Sequence, residues 1–137
     1  MVFVEFLPGC ARLGQAAAIA LDADHPQARI IPDAFHMHIG GSGFSGLRKI
    51  QGDFIAIFQF NDAPATPARG ELKDEHRVFP GDGILPLEQC LRDLRDIGFE
   101  RCLSLELYNP TYWKRDLLGV AREGREKTLR VIESALA

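Results

Sequence analysis

Short apolar runs alternate with amphipathic stretches along the chain, and that alternation predicts four strands, each followed by a helix. Residues 2–7, rich in β-branched and aromatic side chains and closed by Pro8-Gly9, predict a strand buried on both faces. Over 13–21 the sequence turns Ala-rich, with Leu13, Ala16, Ala17, Ile19, Ala20 and Leu21 spaced for a helix laid on a sheet, and Asp24-His25-Pro26 ends it. Residues 29–32 predict the second strand, with Pro32 near its end because proline cannot donate to a ladder. A Gly40-Gly41-Ser42-Gly43 loop leads to a short helix over 44–50, capped by Ser42 or Ser45. The third strand covers 54–60. An amphipathic helix over 85–97 puts Leu87, Cys90, Leu91, Leu94 and Ile97 on one stripe, Glu88, Arg92, Asp93, Arg95 and Asp96 opposite, and Gly98 at C′. The fourth strand, 102–107, runs into an aromatic loop whose Trp113 is read as packing. A closing helix spans 116 to about 136, with Leu117, Val120, Ala121, Leu129, Ile132 and Leu136 apolar.

The order βαβαβαβα predicts an α/β fold with a parallel sheet and right-handed crossovers. A (β/α)8 barrel uses about 31 residues per unit. The 137 residues therefore predict a single domain over 1–137, four βα units forming half of a TIM barrel. Between the third strand and the third helix, residues 61–83 hold Pro64, Pro67 and Pro80 and a charged run from Glu71 to Arg77. A loop of that length in a compact domain is usually functional.

Composition narrows the partners. A net charge of −3, without a lysine and arginine cluster interleaved with aromatics, gives no field to attract phosphate backbones, so nucleic acid is not expected. Cys10, Cys90 and Cys102 are odd in number and form no C-x-x-C pair, which suggests buried or half-buried thiols in a reducing cytosol rather than disulfides or a structural zinc. No run approaches the roughly 20 apolar residues that span a bilayer. The expected location is cytoplasmic, with no membrane partner.

The candidate chemistry lies at the strand ends. The run Ile30-Ile31-Pro32 stops in Asp33, followed by His36, His38 and Gly40-Gly41, and the other strands end in Glu5, Gln59 and Glu106. Parallel sheets and barrels place their sites at the carboxyl ends of strands. Taken singly, Asp33 is as well read as a turn cap, with both histidines packed beside it. Taken together, three carboxylates and an amide converging on one mouth repel one another unless a cation sits between them.

Val4-Glu5-Phe6, Asp33-Ala34-Phe35-His36, Ile57-Phe58-Gln59-Phe60-Asn61-Asp62, Arg77-Val78-Phe79-Pro80-Gly81-Asp82-Gly83 and Ser104-Leu105-Glu106-Leu107-Tyr108-Asn109-Pro110-Thr111-Tyr112-Trp113 carry a resemblance over nearly the whole chain. In order and spacing they resemble the carboxyl-terminal half of the sugar phosphate isomerase/epimerase superfamily, the xylose isomerase-like barrels. The resemblance implies a divalent metal held by Glu5, Asp33, Gln59 and Glu106. Oxygen ligation, with glutamine where many relatives have histidine, favours Mg2+ or Mn2+ over Zn2+. It also sets the chain apart from the related multi-zinc apurinic-site endonucleases. The resemblance further implies proton transfer through a cis-enediolate of a small sugar or keto-acid, with Glu5 and Glu106 as the catalytic pair and His36 and Arg77 holding substrate oxygens. The plainer alternatives are a packed imidazole for His36 and a solvated loop charge for Arg77. Open edges on the first and fourth strands predict a homodimer that completes the barrel, or else a shortened product lacking its partner half. The alternative to an enzyme is a catalytically silent half-barrel that serves as a binding or assembly module.

Overall fold

Alternating short apolar runs and amphipathic stretches form parallel strands and helices, as they do in the computed structural model, which describes residues 2–5 and 9–137. The elements are β1 (Val2–Glu5), α1 (Leu13–Asp22), β2 (Ala28–Ile31), α2 (Ala34–Ile39), β3 (Ile57–Gln59), α3 (Leu87–Asp96), β4 (Cys102–Ser104), α4 (Pro110–Trp113) and α5 (Leu117–Leu136). β1 pairs with β2 in parallel, with Glu5 opposite Ile31, and β3 pairs with β4, with Gln59 opposite Ser104. The two pairs are joined by parallel bridges at Ile30–Ile55 and Asp33–Gln59. Ala56 N donates to Ile30 O at 2.9 Å and Gln59 N to Pro32 O at 2.8 Å, so the order is β1-β2-β3-β4. Four βα units in this order are half of a (β/α)8 barrel.

The core gathers Ile30, Phe35, Met37, Ile55, Phe58 and Phe60 with Leu87, Cys90 and Leu94 of α3, the predicted stripe of that helix. α3 stops as its sequence says. Gly98 takes a φ of 74°, its N–H bonds to Arg95 O at 3.0 Å, and Phe99 N bonds to Leu94 O at 2.9 Å. This is a Schellman ending, which favours glycine at C′.

Several expectations are corrected. β1 is not covered on both faces: Phe3 is 45% exposed, and among the described residues β1 is paired only with β2. Phe6 and Leu7 of the predicted strand lie outside the described residues. At the opposite edge Cys102 is exposed rather than buried. The apolar stripe of α5 is only partly used; Leu117 is 74% exposed and lines an open groove of about 530 Å³ with Leu103, Leu105 and Leu107. The segment 44–50 forms a 3-10 helix, Ser45–Lys49, without a side-chain cap. Ser42 Oγ instead accepts Leu13 N at 2.9 Å, serving the first turn of α1 from across the fold. Asp93, expected on the solvent face of α3, is buried and accepts Arg48 Nε at 2.7 Å and Gln89 Nε2 at 2.8 Å. The 61–83 segment is ordered by 3-10 turns at Arg69–Glu71 and Asp74–His76 and by an antiparallel bridge between Asp62 and Val78.

Candidate functional site

At the end of β2, Asp33 is fully buried and serves two purposes. Its backbone is extended and Oδ1 accepts His36 N at 2.8 Å, which makes it the N-cap of α2. The capping reading therefore holds, and His36 and His38 lie on the short helix that Asp33 caps. The other oxygen faces the site, where Oδ2 accepts Arg77 Nη1 at 2.6 Å and Asn61 Nδ2 at 3.1 Å. Next to it, the parallel bridge to Gln59 carries the sheet to β3. Gln59 Nε2 donates to Glu5 Oε1 at 3.0 Å, while its buried Oε1 has no hydrogen-bond partner among the described residues. Beyond β4, Glu106 Oε2 accepts Arg77 Nη1 at 3.2 Å and Oε1 accepts the Tyr108 hydroxyl at 3.2 Å. The nearby carboxylate pushes the Tyr108 phenol above its ordinary range.

Two linked pairs result: Glu5 with Gln59, and Asp33 with Glu106 through one guanidinium nitrogen. Among the described residues, no three His, Cys, Asp or Glu side chains gather closely enough to hold an ion in this arrangement.

Arg77 is not a solvated loop charge. It is 1% exposed and lies over the rings of Phe35 and Tyr108, 5.2 and 5.4 Å from their centroids. Burial alone would lower its pKa, but Asp33 and Asp74 outweigh that and hold it above the usual arginine value. Arg77 Nε and Nη2 both donate to Asp74 Oδ1, at 3.2 and 2.9 Å, and His36 Nε2 lies 3.4 Å from the same oxygen. His36 is buried, and its Nδ1 has no partner among the described residues.

Sequence reasoning missed Asp74 and Asn61. Asn61 had a signal: it stands two residues after Gln59, and residues two apart on a strand share a face. Its Oδ1 accepts Phe35 N at 2.9 Å, tying the α2 start to the β3 end. Asp74 precedes Arg77 by three residues within one charged run, a spacing that meets in a 3-10 turn. His76 Nδ1 accepts Lys73 N at 2.9 Å within its own turn, and Trp113, expected to pack, is 60% exposed. His38 is half-buried, and burial together with Arg69 pushes its imidazole down.

The donor set suits a divalent cation chemically: three carboxylates and an amide oxygen that is desolvated yet unpartnered. In this structure it is the Arg77 guanidinium that balances Asp33 and Glu106.

The family model for the xylose isomerase-like TIM barrel matches residues 1–133. The chain belongs to that family. Within it, the chain is 35% identical over 135 residues to an inosose isomerase of Bacillus licheniformis, covering 96% of this chain and 48% of the relative. A 3-dehydroshikimate dehydratase of Pseudomonas putida is 35% identical over 88 residues, covering 64% of this chain and 14% of that protein. The crystal structure of an IolI protein with a bound zinc atom superposes with a TM-score of 0.88 at 29% identity, over 97% of this chain and 49% of that one. This xylose isomerase-like chain thus spans about half the length of the inosose isomerase and IolI relatives it matches.

Proposed function

We propose that this chain supplies the metal- and substrate-binding half of a divalent-metal-dependent isomerase or epimerase acting on a small sugar or keto-acid. The observation that carries the reading is Gln59, whose Nε2 is committed to Glu5 while its buried Oε1 has no hydrogen-bond partner among the described residues. A buried amide oxygen left without a donor is costly unless something else satisfies it. Zinc in the IolI neighbour supports a divalent ion held by Glu5, Asp33, Gln59 and Glu106. The all-oxygen set favours Mg2+ or Mn2+.

A bound ion would supply the positive charge that makes a cis-enediolate of the substrate accessible. The chain's own residues do the rest. Glu5, at the end of β1, and Glu106, just past β4, take and return the proton between adjacent carbons. Tyr108 orients the Glu106 carboxylate by donating its hydroxyl to Oε1. His36, with an unpartnered buried Nδ1, and Arg77 hold substrate oxygens.

The test is solvent deuterium exchange at the carbon beside the carbonyl, run with Mn2+ or Mg2+ on inososes, ketoses and hydroxypyruvate. Exchange lost in Glu106→Gln is the expected result; metal binding without exchange on any of them overturns the enzyme reading. A silent binding or assembly module is the second reading, favoured by Arg77 bridging Asp33 and Glu106.

The outer sides of β1 and β4, without a strand partner among the described residues, and the apolar groove beside α5 support a homodimer that closes the barrel. A monodisperse monomer in light scattering at micromolar concentration contradicts it. The three unpaired cysteines favour a cytoplasmic setting.

A further inference from the structure

We infer that Arg77 is a resident counter-cation that excludes the divalent ion from Asp33 Oδ2 and, when the ion enters, swings off that oxygen while Asp74 keeps hold of it. This rests on the metal reading above and adds a binding order to it. A carboxylate oxygen offers about two acceptor sites. Asp33 Oδ2 already accepts Arg77 Nη1 and Asn61 Nδ2, and Oδ1 accepts His36 N, so an ion reaching Oδ2 must displace one of the two donors there. Asn61 is the worse candidate to leave, because its Oδ1 is fixed by the backbone N–H of Phe35. Arg77 has a second anchor. Nε and Nη2 both rest on Asp74, whose side chain is 42% exposed and sits on a turn rather than in the sheet. Only Nη1 reaches the acids, touching Asp33 and Glu106 at once. A cation of like sign placed among the same oxygens repels the guanidinium, and the rigid plane swings as a unit about the single Asp74 oxygen that Nε and Nη2 share. Nη1, once released, stays beside His36 through their shared Asp74 oxygen and becomes a donor for an anionic or hydroxyl oxygen of the substrate. The ion therefore binds first and creates the anion site.

The experiment uses the full chain and Mn2+ alone. Calorimetric titration compares wild type with Arg77→Met, and melting temperatures are taken in EDTA and in saturating Mn2+. Arg77→Met is expected to bind Mn2+ more tightly by a factor in the usual range for coupled sites, roughly 5- to 150-fold. It should melt below wild type in EDTA and regain more than wild type when Mn2+ is added. A wild type that takes no Mn2+ beside an Arg77→Met that does is the extreme form of the same result. Equal or weaker affinity in Arg77→Met overturns the exchange while leaving the metal reading in place. Absence of binding in both proteins overturns both. Should Arg77→Met not fold, the Arg77 Nε–H resonance of wild type, assigned by its loss in Arg77→Lys, decides: it must move on saturation with diamagnetic Mg2+, and a stationary signal overturns the inference.

Discussion

Replacing Asp62 by alanine should show how the 61–83 segment, and with it Arg77, is held. Asp62 is buried and accepts four backbone N–H groups: Ala63 at 2.8 Å and Leu85 at 2.9 Å on Oδ1, Gly81 at 3.0 Å and Gly83 at 3.1 Å on Oδ2. The first two bonds are buried and the last two partly so. A buried donor left unsatisfied costs about 1–3 kcal/mol, which puts the loss of the first two at roughly 2–6 kcal/mol, with water taking up much of the rest. Against this, burial already pushes the Asp62 carboxyl above its ordinary pKa, so removing it recovers some desolvation free energy. A net loss of about 2–4 kcal/mol lowers the melting temperature by on the order of 10 °C in a domain of this size. Thermal and urea melts of wild type, Asp62→Ala and Asp62→Asn measure it. Asparagine keeps one acceptor oxygen but sets an NH2 against two donors, so it should restore less than half. Amide exchange at Gly81, Gly83 and Leu85 should quicken in both variants, as should exchange at Val78, which bonds Asp62 N and O next to Arg77. An Asp62→Ala protein with an unchanged midpoint refutes the reasoning.

Thiol labelling of the native chain should modify Cys102 quickly and spare Cys90, which is fully buried and whose thiol is pushed strongly up by burial; peptide mass spectrometry after brief maleimide treatment reads this. Lys127 bridges Asp82 and Glu123; burial works to lower its pKa, but the two acids outweigh that and raise it above 10.5. The stabilisation is therefore fully present at neutral pH and lost as pH climbs through the raised value. Lys127→Met should melt lower than wild type at pH 7, and the gap should close only as pH rises past 10.5.

The sequence made most of the alternation legible because α1, α3 and α5 carry periodic stripes and the strands apolar runs, whereas α2 and α4, at 6 and 4 residues, are too short to show one. Glu5, Asp33, Gln59 and Glu106 were legible as strand-end positions for the same reason. The network that joins them was not. Asp74 and Asn61 act through contacts made by a long segment whose path is set at Asp62, and Ser42 caps a helix 29 residues away. Periodicity also shows which face of an element is apolar without showing whether a neighbouring layer is there to cover it. Phe3 on β1 and Leu117 on α5 are apolar positions of this kind, left exposed.

Glu5 ends β1 and Glu106 lies two residues past the end of β4, the two outer strands among the described residues, so the proposed proton-handling pair straddles the seam at which any closure of this sheet must be made. A strand that docks one residue out of step would turn its side chains to the opposite face of the sheet. Fidelity of assembly would then be read out directly as chemistry, and a mispaired closure could leave every element folded yet separate the two acids that have to act on one molecule.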